Sequence, residues 1–170
     1  MNRLIIPLII ILVAILRLIP HPPNFTPIIA MGLFSGCYVK NRSIALVIPI
    51  SAMFISDIFL GLHLTIYWVY GSLLLVTILG RVLVRDVNFK NCMISALSGA
   101  VVFFIVTNFG VWFSSSFYPK TFSGILACYT MALPFFSNTL LSSFIYSGIM
   151  FGGYELIFAN ATKVASDSSH

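Results

Sequence analysis

The segment Ile44–Leu62, IALVIPISAMFISDIFLGL, decides the fold class, because Asp57 is its only charged residue. A helix needs about 20 mostly apolar residues, each rising about 1.5 Å, to cross the roughly 30 Å hydrocarbon core of a bilayer. The segment is therefore predicted to be a transmembrane helix. Further apolar segments surround it, and we predict helices for Leu4–Ile19, Thr26–Val39, Leu64–Val84 and Cys92–Phe113.

The composition of the whole chain agrees with this prediction. Of the 170 residues, 59% are hydrophobic and 8% are charged, whereas soluble domains average about 25% charged residues. A soluble domain of this size could not bury so much apolar surface, but lipid can contact it directly. We therefore predict an all-α integral membrane helix bundle at residues 1–159 and a polar cytoplasmic tail at residues 160–170. The net charge of +5 comes from few charged residues, and it does not indicate binding to nucleic acid.

The last apolar stretch, Gly124–Phe158, is too long for one span of about 20 residues. Pro134 lies within it, and a proline removes a backbone donor and clashes with the carbonyl group four residues earlier. The sequence therefore predicts a short surface helix at Gly124–Leu133 and a sixth span that begins, or is sharply kinked, at Pro134 and ends at Phe158.

The topology is predicted from the lysines and arginines near the ends of the spans, since cytoplasmic loops carry an excess of both. With six spans and both termini cytoplasmic, only Arg17 and Lys120 of the nine lie on the outer side. A five-span alternative omits Thr26–Val39 as a span, places the N-terminus outside and exchanges Arg3 for Arg17, so the ratio is the same. Both alternatives place the C-terminus in the cytoplasm.

Asp57 is the strongest candidate for a functional residue, because an ionisable side chain inside a span costs at least about 2.5–3.5 kcal/mol. We expect it to face a ligand or an ion. Alternatively, it pairs structurally with Arg17 or Lys120, or accepts hydrogen bonds from backbone donors in the outer loops. The loop Pro20–Pro27 is stiffened by four prolines and can cover a cavity, and Asn24 within it offers both a donor and an acceptor.

Asn108 and Trp112 lie near the end of the fifth predicted helix, on the same outer side. The amide needs partners once it is away from water, and the indole offers a flat surface for stacking. Alternatively, Trp112 belongs to the aromatic belt at the membrane interface. We predict that these two residues, Asp57 and Asn24 surround a flat, polar-edged organic molecule. Substitution of Asp57 by Asn is then expected to weaken ligand binding and to leave folding largely intact.

Three segments together resemble an uncharacterised family of small bacterial membrane proteins: Pro22–Ile28 (PPNFTPI), Ser56–His63 (SDIFLGLH) and Thr107–Trp112 (TNFGVW). That family is in turn similar to the substrate-binding S components of energy-coupling-factor transporters. The resemblance implies six helices in the bacterial cytoplasmic (inner) membrane that hold a vitamin-like ligand near the outer face. An energising transporter module is the partner that it implies. The ligand-binding residues that it implies are Asn24, Asp57, His63, Asn108 and Trp112.

The first predicted helix departs from that pattern. S components often carry a face of small residues there for docking to the coupling subunit, whereas this chain has only Ala14 among bulky residues. The sequence of this helix therefore does not predict docking to such a subunit.

The predicted function is a membrane transport protein that binds a small organic nutrient and is not an enzyme. No phosphate-binding loop and no His-Glu-x-x-His pattern is present in the sequence, and neither a cofactor nor a metal is expected. The alternative is a non-catalytic scaffold or accessory subunit without a ligand. The patterns Gly32-x-x-x-Gly36 and Gly148-x-x-x-Gly152 allow close helix approach and suit either function.

Overall fold

The computed structural model describes residues 5–62 and 64–167, and over these residues it contains six α-helices and no strand. The all-α prediction is therefore confirmed. Four helices, including the part of the last helix up to Ile157, are long and apolar enough to cross a membrane, whereas the first two are apolar but shorter. The helices are α1 (Ile5–Leu18), α2 (Ile28–Tyr38), α3 (Arg42–Leu60), α4 (Ile66–Leu83), α5 (Phe89–Ser114) and α6 (Phe122–Asp167).

The shortest helix, α2, forms the centre of the bundle. It packs against α3, α4, α5 and α6, and every residue from Ile28 to Gly36 is buried. A helix that is apolar on all sides must be buried in lipid or by other helices, and here the other helices enclose it. The segment predicted as the second span is thus the core of the fold, although its 11 residues rise only about 16 Å.

Two glycines bring the backbones of α2 and α4 into direct contact. A Cβ atom on Gly36 would lie 2.0 Å from the carbonyl oxygen of Thr77, and one on Gly80 would lie 2.2 Å from that of Leu33. No larger residue fits at either position without a shift of the backbone. The close approach predicted at Gly36 is therefore confirmed.

The second glycine pattern has a different environment. A Cβ atom on Gly148 or Gly152 would meet nothing within 4 Å. Among the described residues, this face of α6 therefore makes no close helix contact of the kind that the sequence predicted.

The chain direction alternates along the bundle. Helices α2 and α4 run parallel, because Ile28 and Val69 near their starts line one cavity, whereas Arg81 in the last turn of α4 donates a hydrogen bond to the carbonyl of Val39, just after α2. Helix α3 runs in the opposite direction, since Ser35 near the end of α2 donates a hydrogen bond to the carbonyl of Ala45 near the start of α3.

The end of α1 lies beside the last turns of α3. In the five-span alternative, α1 and α3 would be consecutive spans and would end on opposite sides. The observed arrangement favours the six-span prediction.

A reporter enzyme that is active only in the periplasm, fused to the N-terminus, should therefore be inactive in cells. The same reporter inserted after Ser116, in the loop between α5 and α6, should be active and serves as the positive control. Activity of the N-terminal fusion would contradict the six-span topology and leave the five-span one.

Helix α6 is continuous from Phe122 to Asp167, so the prediction that a separate helix begins at Pro134 is wrong, whereas the alternative of a sharp kink at Pro134 stays a prediction. The proline leaves the carbonyl of Thr130 without its usual backbone donor. Its neighbours nevertheless stay helical, because an unbonded backbone group costs more in lipid than in water. With 46 residues α6 is about 69 Å long, roughly twice the thickness of the hydrocarbon core. It also continues through residues 160–167, which were predicted as a polar tail.

Candidate functional site

A cavity of about 400 Å³ lies at the end of the bundle where α1 and α3 end and α2 and α4 begin. This volume is within the range of about 300–1,000 Å³ that is usual for sites that bind small molecules. The loop between α1 and α2 contributes Pro20, His21, Asn24 and Thr26 to its wall. All six helices contribute as well, with Arg17, Ile28, Met53, Val69, Phe103 and Thr139 in chain order.

An ion pair joins the cavity wall to the interior of the bundle. The Nη1 atom of Arg17 donates a hydrogen bond of 3.0 Å to Oδ1 of Asp57. The same nitrogen contacts the hydroxyl of Ser56 and, at 3.4 Å, the carbonyl oxygen of Met53. The second oxygen of Asp57 accepts a hydrogen bond of 3.0 Å from the Tyr70 hydroxyl. Both carboxylate oxygens are thus occupied by donors from other helices.

The two charged partners differ in their access to the cavity. Asp57 is only 2% exposed and is not among the cavity-lining residues, whereas Arg17 lines the cavity. A buried carboxylate needs a charged or hydrogen-bonded partner, and Arg17 and Tyr70 supply both. The structural pairing of Asp57 with Arg17, one of the alternatives open from the sequence, is therefore present.

The loop between α1 and α2 is attached to α6. The carbonyl of Pro23 accepts a hydrogen bond of 3.0 Å from Nδ2 of Asn138, and the carbonyl of Asn24 accepts one of 3.4 Å from the Ser142 hydroxyl. The ring of Phe25 packs against Tyr146, with centroids 5.8 Å apart. Because the loop is fixed in this way, it forms a wall of the cavity as the sequence predicted.

Asn24 is the predicted site residue that lines the cavity directly. Its backbone adopts a left-handed conformation with φ of 62°, which asparagine tolerates better than most residues. Its exposed side chain makes no hydrogen bond to the described residues, so the amide is available to a ligand. His63 lies outside the described residues.

Asn108 and Trp112 do not line this cavity. The Asn108 amide donates a hydrogen bond of 2.8 Å to the carbonyl of Phe104 in its own helix. The Trp112 indole donates one of 3.0 Å to the carbonyl of Pro119, and the ammonium group of Lys120 lies 5.5 Å from the ring centroid. The Trp112 ring also packs against Phe109, and its position at the membrane interface stays a prediction.

A family model described as a family of unknown function, DUF6580, matches residues 1–165. The chain belongs to this family. No curated protein and no solved structure matches it. Membership of DUF6580 agrees with the resemblance to an uncharacterised family, whereas nothing in these matches links DUF6580 to S components.

In this DUF6580 member, the residue that sequence reasoning missed as part of the site is Arg17. The sequence indicated Arg17 only as a structural partner of Asp57, and that pairing is present. The position of Asp57 on α3 predicted a buried charge. It could not show that Arg17, and not Asp57, would line the cavity. Tyr70 carried no signal in the sequence, because a tyrosine near the start of a span is common at membrane interfaces.

Proposed function

We propose that this protein is a non-catalytic membrane transport protein that binds a small organic, vitamin-like solute in the cavity beneath the α1–α2 loop, in the manner of an S component. The observation that carries the proposal is the cavity itself, which collects residues from all six helices and from the loop. A bundle that served only as a scaffold would not need a cavity of about 400 Å³ at one end, lined by polar as well as apolar residues.

The distribution of charge supports an outward-facing cavity. Arg17 lies at the end of the bundle that contains the cavity. Lys120, in the loop between α5 and α6, lies at the same end. At the opposite end of the bundle, α2 and α4 end beside each other. The cationic residues at that end are Lys40, Arg42, Arg81, Arg85 and Lys90. Because cytoplasmic loops carry the excess of lysine and arginine, the proposal places the cavity on the outer side, where a nutrient arrives.

A scaffold or accessory subunit is the second candidate function, and one observation favours it. Gly148, Gly152 and Gly153 leave open space along α6, and small residues let the backbone of another helix approach closely. The two functions are compatible, because an S-component-like protein also docks to a transporter module.

The proposal is tested by purifying the protein from membranes and identifying the small molecules that co-purify by mass spectrometry. Thr26→Trp fills the cavity from the loop and should reduce the retained solute by about tenfold or more, equivalent to at least 1.4 kcal/mol of binding free energy. Ser116→Trp, at an exposed position outside the cavity, is the matched control and should retain the solute. Absence of any solute from the unmodified protein, or equal retention by both variants, would contradict the proposal.

A further inference from the structure

The accessible charge of the cavity is positive. Among the described residues that line it there is no aspartate or glutamate, whereas Arg17 carries a guanidinium group. Asp57 balances this charge from behind, with its side chain 3% exposed against 13% for Arg17. A solute in the cavity therefore meets the cation of the pair and not the anion.

Most of the hydrogen-bonding capacity of Arg17 is unused. Its contacts with Met53, Ser56 and Asp57 all go through Nη1. Within the part of the chain that the structure describes, Nε and Nη2 donate no hydrogen bond. A guanidinium carries five N–H groups, and three of them belong to these two nitrogens. A guanidinium donor without a partner in the protein can bind an acceptor oxygen of a ligand.

The contacts of Nη1 hold the guanidinium in place. Asp57 is itself fixed by the Tyr70 hydroxyl, and Ser56 donates hydrogen bonds to carbonyl oxygens of its own helix while it contacts Arg17. A donor group that is already ordered loses little conformational entropy when a ligand binds. The Nε–Nη2 edge of Arg17 therefore suits a partner with two acceptor oxygens in one plane.

We propose that the cavity selects an anionic solute whose carboxylate accepts two hydrogen bonds from the Nε–Nη2 edge of Arg17. This inference rests on the proposed function and adds the chemical class of the solute. Bidentate pairs of arginine and carboxylate are short, charge-assisted hydrogen bonds. The corresponding neutral amide is disfavoured, because its NH₂ group would face an N–H donor of Arg17. The amide of Asn24 and the hydroxyl of Thr26 remain for the polar, uncharged part of the solute.

The test measures the labelling of arginines by phenylglyoxal in the purified full-length protein, with benzoate and benzamide as a matched pair of probes at equal ionic strength. The labelling of each arginine is followed by peptide mass spectrometry. Benzoate near saturation should slow the labelling of Arg17 by about fivefold or more, in proportion to the occupied fraction, and benzamide should not slow it. Arg85, which is exposed in the α4–α5 linker, should be labelled at the same rate with either probe.

Equal protection by both probes would overturn the selection of anions and leave a cavity that binds solutes, so that the proposed function would survive. Protection by neither probe, or a failure of phenylglyoxal to label Arg17, would overturn the inference as well. The solute that co-purifies with the protein decides the proposed function independently of these outcomes.

Discussion

Asp57→Asn should lower the free energy of unfolding of the protein in detergent by about 3–5 kcal/mol, the usual cost of removing one partner of a buried ion pair. The substitution leaves the Arg17 guanidinium without its counter-ion, and a neutral amide cannot accept from Arg17 and Tyr70 as strongly as the carboxylate does. The loss is large compared with a typical total stability of about 5–15 kcal/mol. Denaturant unfolding followed by tryptophan fluorescence measures it.

Two variants separate this effect from a general response to the loss of charge. Asp86→Asn, at an exposed position between α4 and α5, should change the free energy of unfolding by no more than about 0.5 kcal/mol. Arg17→Gln combined with Asp57→Asn removes both charges and should restore much of the stability, because no uncompensated charge remains. If Asp57→Asn were as stable as Asp86→Asn and lost only the solute, the carboxylate would act on the ligand directly, as the sequence suggested.

Gly36→Ala and Gly80→Ala should each destabilise the bundle by about 1–3 kcal/mol or more, the cost of forcing extra atoms into a packed interior. The added Cβ atom would overlap backbone oxygens, those of Thr77 and Leu33 respectively. A backbone cannot rotate away as a side chain can, so α2 and α4 would have to separate. The thermal unfolding temperature in detergent should fall for both variants.

Gly148→Ala is the matched control, because it makes the same substitution in a helix where a Cβ atom meets open space. It should leave the unfolding temperature unchanged or raise it, since alanine favours a helix over glycine by about 1 kcal/mol. If Gly36→Ala were tolerated as well as Gly148→Ala, the contact between α2 and α4 would be looser than the structure shows.

The fold class was predictable because apolar length alone indicates transmembrane helices. The role of α2 was not, since its sequence is equally compatible with a short span in lipid and with the core of the bundle. The even distribution of apolar residues around Ile28–Gly36 indicates enclosure only after the neighbouring helices are known. The separate helix expected to begin at Pro134 is absent for a related reason, because the local cost of a proline is smaller in lipid than the cost of ending a helix.

The candidate site was predicted in part. The proline-rich loop and Asn24 could be identified because their chemistry is local. The direction of a side chain on α5 could not, because it depends on the rotation of the helix about its axis. Phe103 lines the cavity and Asn108 does not, and five residues correspond to a rotation of about 140°. Arg17 lines the cavity and Asp57 does not. This difference likewise depends on how α1 and α3 pack against each other, which the sequence does not show.

Under the proposed function, the attachment of the α1–α2 loop to α6 would limit how a solute reaches the cavity. Two hydrogen bonds from α6 to the carbonyls of Pro23 and Asn24 hold the loop in place. If each contributes about 0.5–1.5 kcal/mol, breaking both costs about 1–3 kcal/mol. A loop that has broken both hydrogen bonds is then a minor state, populated in roughly 1–10% of molecules. A tilt of α6 that carried the loop with it would break neither bond. If the proposed function holds, a displacement of α6 at the other side of the membrane would therefore also move the loop that covers the cavity.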